Sequence, residues 1–309
     1  MTTSTAAPAI KKPGASGFVW LDLTRKCQLA CGHCHNGSGA AGSHGSMTAQ
    51  DWTRVLDEAT AAGVSRVQFT GGEVTLHPDA PALVEYALTL GLAVEVYSNL
   101  VHLNDAWWSL LRRKHVSLAT SYYGSEGAHN AVTGRGSHAR TRANIVKAVA
   151  DKIPIRVSVI VSAPSDPSST GDEARRELQA LGVRAVRVDH VRPFGRAANG
   201  REPCTDGLCG RCGDGRASIG PDGAVSPCVF STWLSVGNVQ EASLSAILDG
   251  PEIAQANAAI RAGRGLDGTF SCGPGSPCGP DSDDSRPCTP DTDDECSPGT
   301  PGSECTPRN

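Results

Sequence analysis

"CQLACGHC", residues 27–34, decides how the rest of the chain is read. Three cysteines stand four and three residues apart, directly after the apolar run "FVWLDL" at 18–23. A closed tetrahedral zinc site wants four ligands and a disulfide wants two, so three thiols this close need another explanation. Thiolates at such spacing suit a soft metal or an iron–sulfur cluster. A four-iron cubane held by three cysteines keeps one iron open, and an open iron can bind and activate a small molecule. The competing reading is three ordinary thiols or a fragment of a zinc site.

Working outward, "FVWLDL" is the first of a series of strand-like runs that alternate with helix-like ones. "TAQDWTRVLDEATAAG" begins at an N-cap candidate, Thr48, and stops at Gly63. "VSRVQFTGG" is the next strand, and "PDAPALVEYALTLG" the next helix, with Pro81 in its first turn and Gly91 at its end. "LAVEVYSN", "DAWWSLLRRK", "HVSLATSYYG", "RTRANIVKAVAD", "IPIRVSVIVS", "DEARRELQALG" and "VRAVRVDHV" continue the alternation. The count is six strands, each except the last followed by a helix. The strands are rich in Val, Ile and Leu, as parallel strands buried on both faces are. The expected fold class is α/β, a partial (β/α)6 TIM-like barrel with a small C-terminal cysteine-rich module. The cysteine triplet then lies at the C-terminal end of the first strand, where barrel enzymes keep their chemistry.

Length and composition set the outer bounds. The chain has 309 residues, room for one large domain or one domain plus a small module. Its formal net charge is −4 with 19% charged residues, which argues against a nucleic-acid partner. No run approaches the ~18 apolar residues of a membrane span, and the N-terminus has no signal-peptide core. A cytoplasmic protein with no membrane partner is expected. Its 12 cysteines are then metal ligands sooner than disulfides.

"FTGGE" closes the second strand with Gly71, Gly72 and Glu73. Two glycines let a ligand lie against bare backbone, and a carboxylate can pair with an amino group. Gly-Gly after a strand is usually no more than a turn, but here it follows the strand after the cysteine loop. With both features the sequence resembles the radical S-adenosylmethionine (radical SAM) superfamily, over roughly 18–194. The resemblance implies a [4Fe–4S] cluster on Cys27, Cys31 and Cys34, whose open iron chelates the amino and carboxylate groups of SAM. It implies that Gly71–Glu73 hold the SAM amino group and that His33 supplies a ring near the adenine. The ends of the third and fourth strands, "YSN" and "TSYYG", fall where the family lines its pocket, which picks out Ser98, Asn99 and Ser121. His35 replaces the aromatic residue often found after the third cysteine. "VTGRGSHARTRANI" resembles the segment after the fourth strand in peptide-modifying members. The chemistry implied is reductive cleavage of SAM to a 5′-deoxyadenosyl radical, which abstracts hydrogen from an unactivated carbon.

The second module opens at Cys212 with C-x10-G-x4-C, ending at Cys228, with Gly223 in a "PDGAVSPC" turn. A hairpin brings two such thiolates to one metal group, and Cys209 offers a third ligand. The C-x2-C unit alone also fits a zinc ribbon. The pattern resembles the opening of a SPASM or twitch extension and implies at least one auxiliary iron–sulfur cluster. The family's full pattern continues C-x2-C-x5-C-x3-C, whereas this chain offers C-x5-C-x9-C-x7-C-x8-C. The expected organisation is a disordered leader at 1–17, a radical SAM core at 18–200, an auxiliary-cluster module at 201–266 and a tail at 267–309. The tail repeats Cys-x-Pro at Cys272, Cys278, Cys288, Cys296 and Cys305, and has too few apolar residues to bury a core.

Other features have quieter readings. Trp107 and Trp108 belong to packing. Asp189 and His190 end the sixth strand and face the pocket or serve structure. Arg192 and Arg196 bind a carboxylate or bridge the two modules. For the substrate, the resemblance implies a ribosomally made peptide that is cross-linked or epimerised. The alternatives are a sugar or nucleoside, and a non-catalytic iron–sulfur or zinc scaffold. The expected partners are an electron donor such as flavodoxin or ferredoxin and, with no leader-binding domain legible here, a separate leader-peptide-binding protein. Proline after each tail cysteine stiffens the chain, and an iron–thiolate bond can offset the entropy of ordering it. Cys272 is therefore expected beside Cys212 and Cys228. Truncation after Cys278 is expected to keep the full iron content, and truncation before Cys272 to lower it; iron analysis of both checks this.

Overall fold

Six runs rich in β-branched and aromatic residues pair side by side in the order in which they occur along the chain. The structure, a computed structural model, describes residues 17–162, 170–210 and 212–263. Residues 1–16 of the expected leader and the whole Cys-x-Pro tail with Cys272 lie outside the described residues. The strands are β1 (Phe18–Asp22), β2 (Arg66–Thr70), β3 (Ala93–Tyr97), β4 (Val116–Tyr122), β5 (Ile155–Val161) and β6 (Ala185–His190). Each pairs in parallel with the next. The helices on the connections are α1 (Ala49–Ala61), α2 (Ala80–Thr89), α3 (Asp105–Leu111), α4 (Glu126–Thr133), α5 (His138–Ala150) and α6 (Thr170–Ala180).

Local chemistry accounts for these boundaries. Thr48 caps α1 by accepting from the Asp51 backbone N–H, while Asp51 accepts from that of Thr48, a reciprocal capping box. Asn104 accepts from the Trp107 N–H at the start of α3. Trp107 and Trp108 are buried in the main core with Trp52, Leu83 and Ile145, which is the packing role expected of them. Helix α4 was not legible in a short run flanked by glycines and serines. Ser125 caps it through the Ala128 N–H, and Gly134 ends it in the left-handed region.

The small module does not stand apart from the barrel. Its strand β7 (Arg216–Ile219) pairs in parallel with the free edge of β1, in the register Phe18↔Arg216 to Leu21↔Ile219. β8 (Ala224–Ser226) and β9 (Gly237–Asn238) follow antiparallel. The sheet runs β6-β5-β4-β3-β2-β1-β7-β8-β9, open at β6 and β9. Phe18 and Trp20 share a core cluster with Phe194, Leu208, Cys212, Cys228 and Ile260, which fuses module and barrel. Two short helices, α7 (Leu244–Leu248) and α8 (Pro251–Ala262), complete the described chain. Among the described residues no helix is long and apolar enough to cross a membrane.

The sheet curls around one cavity of about 290 Å³, which touches Trp20, Gln68, Tyr97, Arg156, Arg187 and Arg216 on β1, β2, β3, β5, β6 and β7. Beneath it lies a buried polar layer. Glu95 accepts from Arg156 Nη2 at 2.8 Å and from Nε at 3.3 Å, and also from Gln68. Arg156 Nη1 donates to Ser158 Oγ at 3.1 Å. Removing one member of a buried ion pair leaves the other uncompensated, at a cost of roughly 3–5 kcal/mol. R156A is expected to destabilise the fold by that order, and the double variant R156M/E95Q by distinctly less; chemical denaturation of the two checks this.

Candidate functional site

The cysteine loop is built by backbone hydrogen bonds from several sides. Cys27 N–H donates to Gly39 O at 3.0 Å and Gly39 N–H to Arg25 O at 3.1 Å, closing the loop on itself. From β2, Gly72 N–H donates to Thr24 O at 2.6 Å and Glu73 N–H to Lys26 O at 2.9 Å. A Cβ on Gly72 would sit 2.5 Å from Lys26 O, and one on Gly71 2.8 Å from Thr24 O, so this crossing admits only glycine. From α4, the carbonyls of Thr133 and Val132 accept from Ala30 and Gly32 at 3.0 Å. After β6, Arg196 donates through Nε to Cys31 O at 2.7 Å and through Nη1 to Ser38 O at 2.9 Å, and its N–H donates to Cys34 O.

Held this way, Cys27, Cys31 and Cys34 all line the cavity. Burial pushes the Cys27 thiol up to about 11 and the Cys31 thiol up to about 12, each raised further by neighbouring negative charge. A metal cation that shared these sulfurs would draw them to the thiolate form. Leu29 N–H donates to Cys27 Sγ at 3.4 Å, and Asn99 Nδ2 reaches the same sulfur at 3.7 Å. Among the described residues no three His, Cys, Asp or Glu side chains are drawn in to enclose a single ion.

Cys209, Cys212 and Cys228 line the same cavity. Cys212 donates to Cys228 Sγ at 3.4 Å, and Cys209 Sγ lies 3.9 Å from Cys212 Sγ. The expected hairpin is present, with Gly223 at φ +81 closing its turn onto Gly220 O. The hydrogen bonds with Cys209 and Cys228 push the Cys212 thiol up, and that from Cys212 holds Cys228 down. Cys204 is exposed.

The other expected site residues divide into two groups. His33, Gly71, Gly72, Asn99 and Ser121 line the cavity. The His33 ring meets Tyr123 at 5.0 Å, and Ser121 Oγ bonds Tyr97 OH at 2.7 Å. Glu73 and Ser98 are not in its wall; both side chains are 1% exposed. Glu73 Oε1 accepts from Thr75 N–H at 3.1 Å, Thr75 Oγ1 at 2.7 Å and Ser98 Oγ at 2.7 Å, and Oε2 from Asn99 N–H at 2.8 Å. Burial pushes the carboxyl up, and the donors from Asn99, Thr75 and Ser98 pull it back. The side chain thus ties the end of β2 to the end of β3. Arg196 and Arg192 act as bridges: Arg192 Nη1 donates to Gly207 O at 3.2 Å and Nη2 approaches Asp189 Oδ1 at 3.4 Å.

Sequence reasoning missed Tyr123, His129, Arg156 and Phe230, all in the cavity wall. Period-2 alternation of Gln68, Glu95 and Arg156 inside apolar strands was the available signal for the polar layer.

In E73Q an amide replaces one oxygen among four donors, so at least one donor is left facing N–H groups. A buried donor left without an acceptor costs roughly 1–3 kcal/mol. Thermal unfolding of E73Q is expected several degrees below that of the unaltered chain.

The comparisons with known proteins agree with this geometry. The Radical SAM superfamily profile matches residues 21–178, and the SPASM profile, an iron–sulfur cluster-binding domain, matches 209–273. A PqqA peptide cyclase of Xanthomonas campestris pv. campestris is 31% identical over 150 residues, covering 46% of this chain and 39% of the relative. The chain therefore spans well under two thirds of the length of the curated relatives it matches. Among solved structures, Streptococcus suis SuiB bound to precursor peptide SuiA superposes with a TM-score of 0.65 at 16% identity, covering 81% of this chain and 67% of that one. The protein anSMEcpe, with bound AdoMet and the Cp18Cys peptide, superposes at 0.62 with 14% identity, covering 79% and 83%. These two likenesses establish the partial-barrel fold. The superfamily match takes in more than half of the chain and contains both the cysteine loop and the Gly-Gly crossing. The chain belongs to the Radical SAM superfamily and carries a SPASM iron–sulfur region after its barrel.

Proposed function

We propose that this chain is a radical SAM enzyme that modifies a peptide. The observation that carries the reading is that both cysteine sets open into one cavity. Cys27, Cys31 and Cys34 hold the [4Fe–4S] cluster that binds SAM. Cys209, Cys212 and Cys228 hold an auxiliary iron–sulfur cluster, with Cys272 as a further ligand because the SPASM match runs through it. When bound, the first cluster and SAM supply hydrogen-atom abstraction from an unactivated carbon. The chain supplies placement and exclusion of water.

Gly71 and Gly72 offer bare backbone to the SAM amino group, a part assigned in the sequence to Glu73 as well. Glu73 and Ser98 act one step back by fixing the Asn99 backbone that faces the cluster loop. Asn99 and Ser121 present polar groups from the ends of β3 and β4, and His33 presents a ring from the cluster loop itself. Trp20, Leu29 and Phe230 give the cavity apolar wall that keeps water away from a reactive centre.

The substrate class rests on the relatives. The matched cyclases are described as acting on the PqqA peptide, and both solved relatives hold peptides. A ribosomally made peptide, cross-linked or epimerised, fits a cavity walled by two cysteine groups. An electron donor such as flavodoxin or ferredoxin, a separate leader-binding protein and a reducing cytoplasm complete the reading.

The triple variant C27A/C31A/C34A is expected to lose SAM cleavage completely and to keep the auxiliary iron. Production of 5′-deoxyadenosine by that variant under strong reductant would contradict the assignment. Anaerobic iron analysis and product detection together read both halves.

A further inference from the structure

Positive charge is concentrated in the cavity wall. Arg156, Arg187, Arg192, Arg196 and Arg216 all line it, and among the described residues Asp189 is the one carboxylate that does. Arg156 is matched by Glu95 at 2.8 Å, and Arg192 meets Asp189 at 3.4 Å. Arg196 uses its guanidinium on the carbonyls of Cys31 and Ser38. Arg216, the first residue of β7, is half-buried and forms no ion pair with any of the described residues. A guanidinium held in a concave wall without a carboxylate draws one from outside, because the field is focused there and both oxygens can be bound at once.

The chain itself carries the complementary charge. Asp281, Asp283 and Asp284 precede Cys288, and Asp291, Asp293, Asp294 and Glu295 follow it, with Arg286 the single cation among them. The stretch 272–280 around the first two Cys-x-Pro units has no charged residue at all. The chain also leaves the described fold beside the cavity. Helix α8 ends at Ala262, and Gly263 packs so closely on Thr205 that a Cβ there would collide with the threonine hydroxyl. Thr205 opens the short turn Thr205–Gly207, and Gly207 and Leu208 line the cavity. Ile260, one turn before the end, shares a core cluster with Leu208, Cys212 and Cys228. Cys288 stands about 25 residues past Gly263. A flexible chain of that length spans about 25–30 Å, and prolines extend it further. The cavity is within reach, and the tether keeps the acidic segment at a roughly millimolar effective concentration.

We propose that the acidic segment 281–295 docks in this cavity, against Arg216, and occupies the place of the peptide substrate until one displaces it. The inference rests on the peptide-modifying reading above and adds a competitor for that site built into the same chain. The neutral stretch 272–280 is the tether, which leaves Cys272 with the auxiliary cysteines. Little intrinsic affinity is needed: at a roughly millimolar effective concentration, a Kd of about 100 μM keeps the site filled about nine times in ten.

The test measures binding, not turnover. A fluorescent synthetic peptide of residues 279–297, carrying C288S and C296S so that it offers no thiol, is titrated by anisotropy into anaerobically reconstituted full-length protein. The same probe is titrated into the full-length variant D281N/D283N/D284N/D291N/D293N/D294N/E295Q, whose own segment no longer competes. The variant is expected to bind the probe about tenfold or more tighter than the unaltered chain. Adding R216E to it is expected to weaken the probe about tenfold or more, and a probe with its acids replaced by amides is expected not to bind. Equal affinity in the unaltered chain and the neutral-tail variant leaves the cavity to a foreign peptide and overturns the inference. So does absence of probe binding to both. Equal binding of the acidic and amide probes assigns Arg216 to charge balance around the auxiliary cysteines, and also overturns it. If R216E lowers iron content or melting temperature, the two probes make the comparison on the neutral-tail variant alone. Failure of the unaltered, iron-loaded chain to form 5′-deoxyadenosine from SAM under strong reductant overturns instead the enzymatic reading beneath it, while docking is read by the probe.

Discussion

Everything at this site depends on holding one short loop rigid while three thiols on it face a common space. A loop of about ten residues has no regular ladder to satisfy its backbone, so partners must come from outside it. Here they come from three directions: the Gly-Gly crossing at the end of β2, the last turn of α4, and the Arg196 segment after β6. The approach is so close that a Cβ on Gly195 would collide with the carbonyls of Cys34 and His35. Residues distant in the sequence thus act on the cysteines by fixing carbonyls and amides. Glu73 is the clearest instance, a buried carboxylate whose four donors tie two strand ends together.

The same constraint explains why the small module is sewn into the barrel. β7 takes the free edge of β1, the strand that leads directly into the cysteine loop. His35, next to Cys34, meets Phe230 at 4.9 Å, and Phe230 N–H donates to Cys228 Sγ at 3.3 Å. Phe194 stacks on Trp233 at 5.0 Å behind them. The two cysteine groups therefore share a wall of packed rings, and movement of either is felt by the other.

Much of this was legible from residue pattern alone. All six parallel strands were visible as runs rich in apolar residues, including the edge strand β6, none of whose residues is fully buried, and the C-x10-G-x4-C hairpin followed from its glycine turn. The cavity wall was half legible: His33, Asn99 and Ser121 lie at strand ends or in the loop, where pockets of such folds form. Glu73 and Ser98 show the limit. Their position beside the site was readable, but the direction of each side chain depends on donors brought in by folding, Thr75 and the Asn99 amide among them. His129 was hidden for a related reason. A histidine in a glycine- and serine-rich segment carries no periodic signal, and only tertiary packing places it among rings. The partnership of β7 with β1 joins segments nearly 200 residues apart, a pairing that no local pattern encodes.

The proposed chemistry requires this loop to present three thiolates and to leave one iron of a four-iron cluster open to SAM inside the shared cavity. The most direct measurement is pulsed electron–nuclear spectroscopy of the reduced, reconstituted protein with SAM labelled by nitrogen-15 at its amino group. A nitrogen-15 hyperfine coupling between that nitrogen and the cluster is expected, lost when unlabelled SAM is exchanged in. Bound SAM with no coupling to any cluster would contradict it.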